Sequence, residues 1–426
     1  MQRTPFMNSI GWQPAPKPSP STLVRSTLYA LTLYALFTHN ALAQSWSTVD
    51  DFQYVAGQGA YNTALAVAPN GSLLAAGFAL DSASDYHAII MSSADGGVTW
   101  SAPLDDFTGP ILGDGPWYLG VGSDSAANLY AAGIYSDSSD PNFTDHWFVR
   151  RSADGGASWS TVDDVAPFSG SWFNQANAIA ADAVGNVYVA GFLNTTSTSD
   201  AWIVRKSVGG TSFTTVDSLP SGIGATAIFV HPTAGIFVAG QANVVVKGVT
   251  VRAWIVRRST NAGATWQTVD TFYGTKGSTY YFGRAYGVGA DAHGNLYVAG
   301  ALAIPYRGSA VWEWVVRKST NGGSSWSTVD TYQLAPGGNS VPAGFVADSN
   351  GNLYVAGYGS TTYWGAANWI VRWNPGGTNS WQTLDNFQYA AGGSSSAAAI
   401  GANASGNVFV GGTGSSSSSH WLVRKR

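Results

Sequence analysis

Acid–base and metal chemistry have few residues to draw on in this chain of 426: one glutamate, Glu313, six histidines and no cysteine. The missing cysteines remove disulfides, thiolate metal ligands and thiol nucleophiles together. Glycoside hydrolysis by paired acids needs two carboxyl groups about 5 to 10 Å apart, one with a raised pKa. Glu313 stands directly before Trp314, where His146, Ala201 and Ala253 stand before Trp147, Trp202 and Trp254. It therefore reads as the surface position of a regular strand. Most aspartates also recur in register, as at Asp182, Asp291 and Asp348, or in the TVD segments ending at Asp163, Asp217, Asp270 and Asp330. Those off the pattern, Asp81, Asp85, Asp114, Asp137 and Asp140, form no recognisable pair, and no catalytic residue is assigned.

Six arginines recur as well, Arg150, Arg205, Arg257, Arg317, Arg372 and Arg424, the first five shortly before a TVD-type segment and the sixth next to the end of the chain. A ring of cations could hold an anion. Cross-strand pairing of each arginine with the aspartate of its own repeat explains both residues more simply. The first repeat departs from the pattern, with Met91 for the arginine and Ala88 for the tryptophan. His87, His146 and His420 occupy one place in three different repeats, which holds them apart, so neither a metal site nor a cofactor is expected.

The period behind these residues determines what positions them. Aromatic-anchored turns end at Trp100, Trp159, Phe213, Trp266, Trp326 and Trp381, at spacings of 59, 54, 53, 60 and 55 residues. Each leads into a TVD-like strand. Two more strand signals follow, the NLYVAG type (Asn128, Asn186, Asn295, Asn352, Asn407) with period-two alternation, and the WIVR type at the six tryptophans from Trp147 to Trp421. With an Ala/Val-rich strand ahead of each NLYVAG, a unit holds four short strands, the blade of a propeller. The expected fold is all-β, a seven-bladed β-propeller with four antiparallel strands per blade. Only six turns are complete. The chain ends at HWLVRKR (420–426), where a turn should begin, and Ser45-Trp46-Ser47-Thr48-Val49-Asp50 reads as where one ends. The N-terminal strand should therefore complete the last blade, leaving no free edge.

The segments Ser93-Ala94-Asp95-Gly96-Gly97-Val98-Thr99-Trp100 and 152–159 match S-x-D-x-G-x-T-W. On these the chain resembles the Asp-box (BNR repeat) propellers, a sialidase-like superfamily that also holds xyloglucanases, sortilin-type receptors and assembly factors. The resemblance implies the architecture and places the boxes between third and fourth strands. A sialidase would add an arginine triad, a Tyr/Glu nucleophile pair, an aspartic acid and an R-I-P motif; R-I-P does not occur here. Asn261 and Asn321 replace the box aspartate and Ser207-Val208-Gly209-Gly210 drops it. An amide serves a turn but not a general acid, so the boxes read as structural.

Residues 1–43 carry three basic residues, no acid and an apolar run of about 10 residues before Ala41-Leu42-Ala43, the pattern of a signal peptide and too short to span a bilayer. Residues 44–426 are then the propeller, secreted or periplasmic, with no membrane span after cleavage. That part holds 17 basic and 24 acidic residues, which argues against nucleic acid as a partner. Charged residues are 10% of the chain, against about a quarter in average globular proteins.

Antiparallel blades put the box turns and the turns before NLYVAG on one face. The loops after TVD and after YVAG share the other, where the repeat breaks down and irregular aromatics gather. Any one of them, from Tyr54, Tyr61 and Tyr118 to Trp364, is expected to seal a loop onto a blade as readily as to bind, with binding favoured for the cluster in the fifth and sixth blades. The candidate ligand residues are Trp117, Trp172, Tyr281, Arg284, Tyr306, Arg307, Tyr363 and Trp364. Aromatics flanked by arginine and amides suit a glycan or an extracellular protein. The expected function is a noncatalytic binding or scaffold propeller. The alternatives are a diverged sialidase-like glycoside hydrolase and a structural component of a cell envelope.

Overall fold

In every repeat the alternating NLYVAG segment becomes the second strand of a sheet, buried along nearly its whole length because sheets pack on both of its faces. The computed structural model describes residues 45–110, 115–137, 139, 144–166, 173–196, 199–277, 279–378 and 380–426. The expected leader, Trp172, Asp114 and Asp140 lie outside them. Seven four-stranded antiparallel sheets follow one another, each in the order first, second, third, fourth strand. Blades 1 to 6 span 60–107, 117–165, 175–219, 222–272, 283–332 and 340–387; blade 7 takes three strands from 395–425. Its fourth is Ser47–Phe52, which pairs with Ser419–Lys425 in the register Ser47↔Lys425 to Phe52↔Trp421. The expected propeller and its closure by the N-terminal strand are both present.

First strands line the axis and are tied across blades: Asn177 Nδ2 donates to Ala225 O at 2.7 Å and Thr226 Oγ1 to Ala285 O at 2.6 Å. They enclose a central channel of about 190 Å³. Further out, the third-strand tryptophans Trp147, Trp202, Trp254, Trp314, Trp369 and Trp421 are fully buried. Each lies against the YVAG-position glycine of the next blade. A Cβ at Gly191 would come within 2.6 Å of the Trp147 ring, and one at Gly300 within 2.3 Å of Trp254. Tryptophan and glycine thus recur together because the ring needs the space that a side chain would fill. Truncating one such tryptophan would cost about 3–5 kcal/mol.

The arginines correct the expectation of pairing within a blade. Arg150 of blade 2 grips Asp105 of blade 1 (Nε–Oδ2 2.7 Å, Nη2–Oδ1 3.1 Å), and Arg205–Asp163, Arg257–Asp217, Arg317–Asp270, Arg372–Asp330 and Arg424–Asp385 repeat that reach to the preceding blade. The reason is a bulge in the fourth strand. In blade 2 it sets Asp163 opposite Val149 and Thr161 opposite Arg150, so the arginine meets threonine in its own blade and the aspartate faces the next one. These bidentate pairs are largely buried, so removing one partner would strand a charge at a cost of about 3–5 kcal/mol. Blade 1 has Met91 instead of arginine, and Asp50 of blade 7 is left with Oδ2 buried and unbonded. Burial, with repulsion from Asp51, pushes the Asp50 carboxyl up to about 7.

The box turns lie between third and fourth strands. Asp95 accepts from Val98 N, Thr99 N, Thr99 Oγ1 and Ser93 Oγ, which holds its carboxyl down to about 2. Where Asn261 stands instead, Oδ1 still accepts Thr265 N while Nδ2 donates to Thr265 Oγ1. The amide reproduces the turn, as a structural role requires.

Candidate functional site

On the loop face, hairpins of different length break the sevenfold regularity. Second and third strands run about eight residues in blades 1, 2, 6 and 7 but reach Gly235–Val246 with Val249–Ser259 in blade 4, and Leu296–Tyr306 with Ser309–Ser319 in blade 5. The extra residues project these hairpins roughly 10 Å further. Each closes through a two-residue turn of positive φ, Lys247-Gly248 (49°, 80°) and Arg307-Gly308 (47°, 87°). This is the type I′ pattern, in which Asn or Gly usually fills the first position. In both hairpins a cation fills it.

The tip of the blade 5 hairpin overhangs the start of blade 6. Tyr306, Arg307, Ser309, Ala310 and Val311 form one wall of a cleft, Pro336 and Gly337 its floor, and Thr361 to Trp364 the other wall, enclosing about 760 Å³. Gly337 is required there: a Cβ would lie 2.4 Å from Tyr306 Cε1. Asn339 fixes the two walls to each other, donating from Nδ2 to Tyr363 O at 3.0 Å and accepting Trp312 N on Oδ1 at 2.9 Å. Ser360 Oγ donates to Thr362 O at 2.8 Å, and Gly365 N closes a turn onto Thr362 O. That turn presents Tyr363, 43% exposed, and Trp364, 90% exposed, edge to face at 4.7 Å. The Arg307 guanidinium lies 5.3 Å from the centre of the Tyr306 ring.

Four of the eight candidate residues, Tyr306, Arg307, Tyr363 and Trp364, therefore meet in one cleft. Tyr281 is half-buried in a short hairpin, Gly274–Lys276 with Thr279–Tyr281, between blades 4 and 5. Arg284 is exposed at the start of blade 5, its guanidinium 5.0 Å from the centre of Tyr286, a ring that lines the central channel. Trp117 is elsewhere, stacked on Phe78, which stacks on Tyr61, across blades 1 and 2. Tyr118 is buried with its hydroxyl on Asp105, and Tyr54 is engaged by Asp106, so these two seal rather than bind.

The residues least legible in the sequence are the partners of three histidines. His87 Nδ1 meets Asp106 Oδ1 at 2.6 Å, while Tyr54 donates to Asp106 Oδ2 at 2.8 Å and its ring stacks on the imidazole at 4.6 Å. His146–Asp164–Tyr135 (2.8 and 2.8 Å, rings 4.7 Å) and His420–Asp51–Tyr389 (2.7 and 2.8 Å, rings 4.5 Å) repeat the arrangement. The hydrogen bond to Asp106 pushes the Tyr54 hydroxyl up to about 12, and burial with Asp51 does the same for Tyr389. The signal was present: Asp50-Asp51, Asp105-Asp106 and Asp163-Asp164 double the aspartate in the three units that carry the histidine. A threefold copy is a brace tying third and fourth strands to a loop or, at Tyr135, to the second strand. Among the described residues no group of three or more His, Cys, Asp or Glu is placed to hold a metal. Glu313 is half-buried on the third strand of blade 5, and burial raises its carboxyl pKa.

Seven four-stranded blades around a channel define a seven-bladed β-propeller. The chain matches no protein-family model and no curated protein. In structure it is similar to an ulvan lyase of polysaccharide lyase family PL25 (TM-score 0.54, 13% identity, 85% of this chain and 93% of that one). It is also similar to a streptogramin B lyase (0.50, 12%, 90% and 99%) and to a protein of unknown function from Dyadobacter fermentans (0.51, 12%, 90% and 99%). At such identities the likeness establishes the fold.

Proposed function

We propose that residues 1–43 direct export and that residues 44–426 form a secreted, noncatalytic Asp-box propeller that binds a glycan in the cleft between blades 5 and 6. The observation that carries this reading is the convergence of Trp364, Tyr363, Tyr306 and Arg307 on a braced cleft of a size suited to a few sugar rings. An exposed tryptophan offers a flat apolar face to the C–H side of a sugar, and arginine and the Ser309, Thr361 and Thr362 hydroxyls supply polar contacts. Among the described residues no carboxylate lines the cleft, which suits binding better than hydrolysis by paired acids. A glycan array tests it. Retention on defined sugars should weaken about 30-fold in Trp364→Ala, the loss expected of a central aromatic anchor. Capture of proteins but no glycan would replace the ligand class.

A second reading, a diverged carbohydrate-active enzyme, draws on Glu313. Its carboxyl is raised by burial and sits on the strand whose hairpin carries Tyr306 and Arg307. Products released from a retained glycan, and lost in Glu313→Gln, would establish it.

A further inference from the structure

We propose that the bound glycan is anionic, carrying uronate or sulfate groups, and lies across blades 4 to 6; this rests on the glycan-binding reading above. The 17 lysines and arginines beyond the leader fall into three groups by position. Six form the inter-blade ion pairs. Six more, Arg151, Lys206, Arg258, Lys318, Lys425 and Arg426, lie toward the opposite face, where they cover second-strand polar groups and aromatics or, for Arg426, Trp373. The remaining five, Lys247, Arg252, Lys276, Arg284 and Arg307, are all exposed. All five fall in blades 4 and 5 or the short hairpin between them.

Among the described residues no ion pair engages these five cations, whereas the arginines of the ring are all neutralised. Three have a ring beneath them, Arg252 on Phe282 at 5.7 Å, Arg284 on Tyr286 and Arg307 on Tyr306. A guanidinium held over a ring keeps its N–H edge free for a carboxylate or sulfate. Lys247 and Arg307 crown the two projecting hairpins in left-handed backbone that glycine or asparagine adopts at lower cost, so the strain falls where the charge is presented.

The acids of the same face lie elsewhere. Asp51, Asp81, Asp85, Asp106, Asp137, Asp145 and Asp164 belong to blades 7, 1 and 2. In blades 4 to 6 the one acid outside the ion pairs and the turns of the opposite face is the half-buried Glu313. One face thus carries a basic, aromatic sector and an acidic sector. An anion is drawn to the first and turned away from the second. The adjoining Tyr363–Trp364 platform selects a ring-bearing anion over a plain one.

The test is affinity electrophoresis of the exported protein against polygalacturonate, dextran sulfate, neutral dextran and poly-glutamate. Polygalacturonate or dextran sulfate, whichever carries the right anion, should retard it. Retardation should fall about tenfold between 50 and 500 mM salt, as screening shortens the reach of exposed charges. The double variant Lys247→Glu/Arg307→Glu should abolish it with an unchanged melting temperature, and Trp364→Ala should weaken it without altering the salt slope. Binding of neutral dextran as strong as that of dextran sulfate would overturn the anionic assignment and leave the glycan-binding reading standing. Poly-glutamate bound as tightly as both acidic glycans would reduce the sector to charge attraction and overturn it too. No retardation by any glycan would overturn both.

Discussion

Blades 7, 1 and 2 and blades 4 to 6 present one face built on one scaffold, yet they use it in opposite ways. The first sector repeats itself: three His–Asp–Tyr braces, each laying its imidazole against a tyrosine ring and each spanning third strand, fourth strand and a loop or second strand. The His87 and His146 rings also approach Asp81 and Asp137, the first residues after the second strands, at 3.8 and 4.0 Å, and His420 approaches Ser416 at 3.4 Å. The second sector repeats nothing. Its hairpins lengthen, its turns carry cations, and its largest aromatic is almost wholly in solvent. Chemistry that recurs blade by blade answers a need of every blade, which is stability. Chemistry that occurs once answers a need outside the repeat.

That contrast can be broken at several points. The largest effect is expected in the ion-pair ring that underlies both sectors: Arg205→Ala should cost about 3–5 kcal/mol by leaving Asp163 buried and unpaired, read as a fall in denaturation midpoint. Next comes the gap in that ring. The Asp50 carboxyl titrates near 7 in the fold, above its ordinary 3.8. The folded state therefore holds the extra proton between about pH 4 and 7, and stability should decline as pH rises through that window. The decline should be on the order of 4 kcal/mol. Met91→Arg should raise the melting temperature at pH 8 and flatten the profile, as should Asp50→Asn. A wild-type profile already flat from pH 5 to 8 would refute the burial of an unpaired carboxyl at this seam. Smaller still, Trp364→Ala should lose about 2 kcal/mol of glycan binding with no change in melting temperature. Smallest, His87→Ala should lower stability by about 1 kcal/mol, the worth of its hydrogen bond and stacking, with glycan binding intact. If the brace variant lost binding, or the cleft variant lost stability, the division of the face would be wrong.

The propeller was legible because a period near 55 residues leaves little choice: four strand signals per unit, and a last unit divided between the termini. What strand patterns do not show is how far a chain turns at a bulge. One extra residue in the fourth strands of blades 2 to 6 redirects their aspartates to the neighbouring blade, so the arginine partners differ from the sequence reading while the pairing itself was anticipated. The cleft was half legible. Irregular aromatics marked the loop face, and Tyr306, Arg307, Tyr363 and Trp364 do meet there. Trp117 and Tyr118 lie in equally irregular sequence, but Phe78 and Asp105 engage them, contacts that only the tertiary structure creates. The polarity of the face was hidden for another reason. The five cations are scattered over 61 positions of sequence, from Lys247 to Arg307, and look significant only once the other twelve are seen to be occupied.

The seam between Ser47–Phe52 and Ser419–Lys425 also sets an order of events. Asp51 and His420, bonded in the finished brace, are 369 residues apart, so one partner leaves the ribosome long before the other exists. Bringing such distant segments together costs about 5 kcal/mol of chain entropy, recovered only when both have arrived. Blades 1 to 6 can form progressively from local hairpins. Blade 7 forms last, and until it does the inner side of blade 1, with Leu73, Ala75 and Ile89, lacks the Trp421 and Phe409 that cover it. The slowest step of folding and the moment of greatest exposure to aggregation should therefore be the same event, the arrival of the final strand.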